Sequence, residues 1–267
     1  MTMTTGRLIG IVGLGLVGGS LGMRIRELGL GRVLGFDTDF AVTQRALERG
    51  AADETAMELN RVAEADVIIV AVPLEQTVAV AREAAGFARE DAVLTEVASV
   101  KAPIVAQLAS LPRVRYVPGH PMFGTEGRGI ESAGAHLPAG YPYVFTPLAS
   151  TPHDAVNAML RLAQDLGMHP VLLSPDEHDR LAAEVSHLPY LLALLLAHTS
   201  DPQAKDVAGP AFRDATRVAT TPPDLMVEIL RLNRVHVLAA VDRFSQGLAQ
   251  MRESLVRGHI KQAVRLR

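Results

Sequence analysis

The sequence predicts an α/β protein: a Rossmann-type, mostly parallel sheet domain over residues 1–174, followed by an all-helical domain over residues 175–267. Three observations carry this reading. Short apolar runs alternate with helix-periodic segments through the first part of the chain, the pattern of a parallel sheet covered by helices on both faces. A glycine-rich turn follows the first apolar run directly. After Ser174 the strand pattern stops and helical periodicity continues to the end, with breaks near Ser200–Pro210 and Thr221–Pro223.

The elements follow in order. Leu8–Val12 is a strand, and Leu16–Leu28 is a helix that stops at Gly29. Val33–Phe36 is a second strand closed by Asp37, and Phe40–Arg49 is a helix ending at Gly50. Val67–Val72 is continuously apolar, as in a strand covered on both faces. A helix at Val78–Phe87, strands at Ala92–Val97, Val114–Val117 and Tyr143–Phe145, a helix at His153–Leu166 and a strand at Pro170–Leu173 complete the series. Pro175 and Asp176 open the first helix of the C-terminal part.

Composition narrows the function classes. With 48% hydrophobic residues in 267, a sizeable core can be buried. A net charge of -3 gives no reason to expect nucleic acid or an anionic membrane surface as partner. The chain has no cysteine, so disulfides, thiol catalysis and cysteine-type zinc sites are excluded, and no metal is expected. Met1–Arg7 lacks the pattern of a secretory signal. The longest apolar stretch, Leu188–Ala197, spans ten residues and contains Pro189, too short for a membrane helix. A soluble cytoplasmic protein is expected.

The glycine-rich turn carries G-x-G-x-x-G at Gly13, Gly15 and Gly18, between a predicted strand and a predicted helix. That context marks a dinucleotide site: a tight turn, backbone approach to a pyrophosphate, and close helix–strand packing, with the helix N-terminus offering N–H groups to the phosphates. Asp37 ends the second strand, 24 residues after Gly13. A carboxylate there accepts hydrogen bonds from ribose hydroxyls and repels a 2′-phosphate, and the next residue is Thr38 rather than arginine. The expected cofactor is therefore NAD rather than NADP. Its expected contacts are Gly13, Leu14, Gly15, Leu16, Val17, Gly18, Asp37, Val72 and Ser99.

An oxidation that delivers hydride needs a base for the departing hydroxyl proton. Of nine histidines, His136, His153, His169, His178, His198, His236 and His259 read as ordinary surface residues. His120 stands apart. It lies in Pro118-Gly119-His120-Pro121-Met122-Phe123-Gly124-Thr125-Glu126, just past a strand end, where open α/β sheets bind ligands. It reads as the base or as a turn histidine. Ser99, after another strand, could orient His120 or touch the nicotinamide, or could cap the helix that follows. Arg213 and Arg217 share a face if helical, as a carboxylate clamp or a solvated salt-bridged face. Ser186-His187-Leu188-Pro189-Tyr190 puts polar residues in an apolar helix broken by Pro189, as a site at a kink or as packing at a bend.

Taken in order, GLGLVGGS from Gly13, ASVK at 98–101, GHPMFGTE at 119–126, SHLP at 186–189 and FRDATR at 212–217 resemble the prephenate and arogenate dehydrogenases of tyrosine biosynthesis, from about Leu8 to Asn233. Tyr141–Val144 and Glu177-His178-Asp179 match as linking pieces. The resemblance implies NAD-dependent oxidative decarboxylation of prephenate to 4-hydroxyphenylpyruvate, or of arogenate to tyrosine, by an NAD-dependent dehydrogenase. It assigns His120 as the catalytic histidine that takes up the ring hydroxyl proton, Ser99 as its support beside the nicotinamide, and Arg217 as the holder of the ring carboxylate. Thr125 and Glu126 line the pocket mouth, His187 matches the first histidine of the helical motif, and Tyr190 and Arg213 are further substrate-side residues. A homodimer through the helical domain is implied. Tyr190 stands where many members have a second histidine, and Met226 where many have tryptophan, so the choice between prephenate and arogenate stays open. The 267 residues leave no room for a chorismate mutase or regulatory domain, and feedback through such a domain is not expected. Two other readings are weaker. A β-hydroxyacid or imine reductase of the hydroxyacid type would use a lysine early in the helical domain, and none lies between Lys101 and Lys205. A non-catalytic NAD sensor would leave His120 and Arg217 without a role.

Overall fold

The computed structural model describes residues 6–111, 114–124, 127–137 and 139–264. The chain divides into two compact units, one of residues 1–178 with 221–228 and one of residues 179–220 with 229–267.

The first unit is built on a six-stranded parallel sheet. Its strands are β1 (Leu8–Val12), β2 (Arg32–Phe36), β3 (Glu54–Thr55), β4 (Val67–Val70), β5 (Val93–Glu96) and β6 (Arg115–Tyr116), in spatial order β3-β2-β1-β4-β5-β6. The central register places Ile9 beside both Val33 and Val67, and Ile68 beside Leu94. Between the strands run α1 (Leu16–Glu27), α2 (Phe40–Glu48), α3 (Leu59–Val62), α4 (Thr77–Phe87) and α5 (Ala102–Leu108). β4 is buried at all four positions, which is why its sequence shows no alternation.

The remaining strands form a second sheet that periodicity did not separate. β7 (Gly119–Pro121) pairs antiparallel with β8 (Pro142–Phe145), which pairs parallel with β9 (His169–Leu172). β7 was expected as loop. Three residues are too few to show a two-residue period, and the strand exists because β8 supplies its partners. α6 (His153–Asp165) buries Ala155, Val156, Met159, Leu162 and Ala163, one helical stripe. Ala155, Met159, Leu162 and Ala163 pack with Tyr143 and Phe145, stacked at 4.4 Å, and with Ile9, Ile11, Leu21 and Ile25 in one core.

The C-terminal helices are α7 (Pro175–Ala182), α8 (Leu188–Thr199), α9 (Pro210–Thr216), α10 (Pro223–Leu232), α11 (Arg234–Val256) and α12 (Ile260–Ala263). The break expected at Pro189 does not occur. A π turn over Ala183–His187 joins α7 to α8 into one helical run, and Leu188 N–H donates to the Ala183 carbonyl, five residues back. Pro189 has no N–H to give and its ring crowds the carbonyl four residues earlier, so a locally widened helix accommodates it where a regular one would not. The run Pro175–Thr199 has 25 residues and is long and apolar enough to cross a membrane by length and composition, in place of the ten-residue stretch expected. Asn233, between α10 and α11, ties it to its own unit: its Nδ2 donates to the Asp179 carbonyl at 2.7 Å and to His187 Nδ1 at 3.2 Å.

One buried ion pair fixes the loops at the end of β5. Lys101 and Glu96 are both fully buried. The Lys101 ammonium donates to both Glu96 oxygens at 2.7 Å and to the Gly119 carbonyl. Ala98 N–H and Tyr116 Oη–H complete the Glu96 shell at 2.8 and 3.0 Å. Burial and the Glu96 charge push the Tyr116 phenol well above its ordinary range, so it stays a donor. Lys101 also takes the N-cap position of α5, which leaves Ser99 out of the capping role considered for it. Removing one partner strands a buried charge: Lys101→Met should cost about 3–5 kcal/mol in urea unfolding, and the double change Glu96→Leu/Lys101→Met should cost less than Lys101→Met alone.

Candidate active site

The loop between β1 and α1 has the shape its glycines require. Gly13 sits at φ +91°, and a side chain there would meet the Ala71 carbonyl at 2.5 Å. At Gly18 a side chain would run into the Gly13 carbonyl at 2.0 Å, whereas at Gly15 it would meet nothing within 4 Å. The loop therefore packs tightly on the β4 side and is open at Gly15. α1 begins with no capping side chain and no acidic residue in its first turn. Its first N–H groups thus lack a side-chain acceptor, which suits an anion. Leu16 and Val17 are half-buried in that turn, while the Leu14 side chain is fully buried against Gly35. Val72 follows β4, and its backbone nitrogen lies 3.0 Å from where a Gly13 side chain would begin.

Asp37 closes β2 and is half-buried. Its Oδ2 accepts from Leu14 N–H at 2.9 Å and its Oδ1 from Asp39 N–H at 3.0 Å. A carboxylate has about four acceptor positions, so two remain for ribose hydroxyls. The glycine loop, the uncapped helix end and this carboxylate together fit a dinucleotide.

His120 lies on β7, opposite Val144 of β8, and is half-buried. Lys101 reaches the carbonyl of its neighbour Gly119, so the segment carrying half-buried Ser99 and the strand carrying His120 are tied to one ammonium. Nδ1 of His120 lies 2.9 Å from Nε2 of His178, with the rings edge-to-face and centroids 5.1 Å apart. His178, read from sequence as a surface histidine, is 2% exposed. His136, His153, His169, His198 and His259 are exposed, as that reading expected. Ser174 and Pro175 do signal a helix start just before His178, but no local pattern points across 58 residues to His120.

The helical unit gathers the other expected residues. His187, in the π turn, is 1% exposed and engaged by Asn233, and Tyr190 on α8 is 7% exposed. α8 packs on α9, which carries Arg213, and on the turn Arg217–Thr220. Arg213 and Arg217 are exposed. Thr125 and Glu126 lie outside the described residues. Glu96, Lys101, His178 and Asn233 were not singled out from sequence for any role.

Comparison with known proteins gives one family over most of the chain. The family "Prephenate dehydrogenase, nucleotide-binding domain" matches residues 21–172, and "Prephenate dehydrogenase, dimerization domain" matches residues 174–266. The prephenate dehydrogenase of Bacillus subtilis is 32% identical over 90% of this chain and 67% of its own. The cyclohexadienyl dehydrogenase of Zymomonas mobilis is 30% identical over 95% of this chain and 90% of its own. Among solved structures, the prephenate dehydrogenase of A. aeolicus in complex with hydroxyphenyl propionate and NAD+ superposes with a TM-score of 0.87 at 29% identity, covering 97% of this chain and 93% of that one.

The carboxylate at position 37 should set the cofactor preference. Asp37→Ser removes the repulsion of a 2′-phosphate, so the ratio of NADP to NAD dissociation constants should fall by about tenfold or more in titrations of nucleotide binding. An unchanged ratio would exclude Asp37 as the ribose contact.

Proposed function

The chain belongs to the prephenate dehydrogenase family, and we propose that it oxidatively decarboxylates prephenate to 4-hydroxyphenylpyruvate, with NAD as hydride acceptor. One observation supports the reading: a glycine-rich loop bonded to the Asp37 carboxylate and a half-buried histidine on β7 occur in one unit of a family member.

When bound, NAD takes the hydride from C4 of the substrate ring. The residues of this chain do the rest. His120 accepts the 4-hydroxyl proton as the hydride departs, leaving a ring ketone. Loss of the ring carboxylate as CO2 then makes the ring aromatic, and the resulting phenolate oxygen can take the proton back from His120. The sum is prephenate and NAD giving 4-hydroxyphenylpyruvate, CO2 and NADH, with no net proton released. Aromatisation supplies the driving force, so the protein has mainly to position the reacting groups. Gly13 to Gly18, with Leu14, Leu16 and Val17, would hold the pyrophosphate, Asp37 the ribose, and Val72 and Ser99 the nicotinamide end. Arg217 would bind a substrate carboxylate, with Arg213, His187, Tyr190, Thr125 and Glu126 as further substrate-side residues.

Arogenate is the second reading. It differs from prephenate only in carrying an amino group where prephenate has a keto group, and the Zymomonas relative, matched over 90% of its length, is a cyclohexadienyl dehydrogenase.

A homodimer through the helical unit belongs to the same proposal. α8 is apolar on every side, yet Leu194, Leu195 and Leu196 are 43%, 57% and 40% exposed, and Leu238 and Leu248 on α11 are more than half exposed. A helix apolar all round needs cover, and residues 174–266 match the family's dimerisation domain. A cytoplasmic location accords with this biosynthetic role.

The test is purified protein with NAD and, separately, prephenate or arogenate. NADH should accumulate with prephenate, and absence of NADH with both substrates would overturn the proposal. Arg217→Ala should raise the substrate KM about tenfold or more, the loss of a charge-assisted bond of roughly 1.5–3 kcal/mol. The KM for NAD should stay unchanged, and an unchanged substrate KM would exclude the carboxylate contact.

A further inference from the structure

We propose that His178 is a positioning residue for His120: it holds the Nδ1 side of the ring and thereby makes Nε2 the nitrogen that exchanges the substrate's hydroxyl proton. The proposal rests on the dehydrogenase reading for the identity of that proton, and on geometry for everything else.

The two rings are held from both sides. His120 is fixed by the register of β7 on β8, where it faces Val144, and by the Lys101 bond to the preceding carbonyl. His178 is fixed in the first turn of α7, where its N–H donates to the Ser174 carbonyl at 2.9 Å and Ser174 Oγ accepts from Glu177 N–H at 3.2 Å. The nitrogens Nδ1 of His120 and Nε2 of His178 then meet at 2.9 Å, an N–H···N distance, with the His178 ring 2% exposed.

Hydrogen-bond arithmetic decides the rest. Only one hydrogen fits between two facing imidazole nitrogens. If His178 donated it, His120 in its neutral form would carry its own hydrogen on Nε2 and could accept nothing there. If His120 donates it, Nε2 keeps a bare lone pair and His178 carries its hydrogen on Nδ1. Only the second arrangement leaves a base at Nε2. It also survives the reaction: once Nε2 takes the proton, the imidazolium still donates from Nδ1 to the same acceptor, and no group has to turn. The proton stays on Nε2 until the phenolate oxygen reclaims it. A buried carboxylate does this for histidine in the serine-protease triad by fixing the tautomer and orientation. Here a second imidazole supplies the acceptor, placed by the helix start at which the chain leaves the sheet domain.

The experiment compares full-length wild type with His178→Gln, His178→Asn and His178→Ala. The Oε1 of glutamine can reach the place of the imidazole Nε2, while asparagine is too short and alanine has no acceptor. With saturating NAD and varied substrate, His178→Ala and His178→Asn should lose roughly tenfold to a hundredfold in kcat. The KM for NAD should stay within about twofold, and His178→Gln should recover most of the loss. On a His120→Asn background, adding His178→Ala should cost nothing more. Ring-nitrogen NMR should find His120 protonated on Nδ1 in wild type and on Nε2 in His178→Ala. Wild-type turnover in His178→Ala, no advantage of glutamine over asparagine, or an unchanged His120 tautomer would each overturn the proposal. Should the alanine variant fail to fold, the glutamine–asparagine contrast decides by itself. Should wild type form no NADH from either substrate, the dehydrogenase reading falls, and the tautomer of His120 alone decides the role of His178.

Discussion

One buried ammonium ties three segments of the sheet domain together. Lys101 carries its charge into the sheet domain at 0% exposure, and the Glu96 carboxylate and the Gly119 carbonyl surround it. A charge so far from water is tolerated only when every hydrogen finds an acceptor, which leaves the three acceptors little freedom to drift. Glu96 ends β5, Lys101 opens α5 and Gly119 opens β7, so one interaction joins three chain segments. Ser99 lies between the first two and His120 follows the third. The segments that carry both are tied to the same buried charge.

Sheet topology supplies the other half of the constraint. In the order β3-β2-β1-β4-β5-β6 the strands point the same way, and the turns after β1, β2, β4 and β5 leave the sheet at its carboxyl edge. Gly13, Asp37, Val72 and Ser99 stand on those four turns. A dinucleotide laid along this edge, as proposed, would meet the glycine loop and the Asp37 carboxylate on adjacent strands, and the segment of Ser99 two strands further along. The second, three-stranded sheet then brings His120 in on β7, which packs against β5.

The helical unit obeys a different economy. Its longest apolar run contains a proline, buried polar residues and leucines left in the open. The π turn at Ala183–His187 accommodates Pro189, and Asn233 satisfies both the Asp179 carbonyl and His187 Nδ1 with one amide nitrogen. Leu195 at 57% and Leu238 at 53% exposure remain uncovered within one chain, which is the observation behind the proposed homodimer.

The amino-acid sequence by itself determined whatever depends on neighbours along the chain. Gly13, Gly15 and Gly18 between an apolar strand and a helix mark a turn that suits a phosphate, and Asp37 after the next strand is the proposed ribose contact. The change of period after Ser174 separates sheet from helices, and the ordered motifs around His120 and Arg217 mark the family. Tertiary structure alone decided the contacts that span long separations. His178 meets His120 across 58 residues, Lys101 meets Gly119 across 18, and Asn233 meets His187 across 46. Periodicity reports which face of an element is apolar. It carries no information about which distant polar atom completes a buried donor or acceptor, because that pairing is fixed only when the sheets and helices pack and water is excluded.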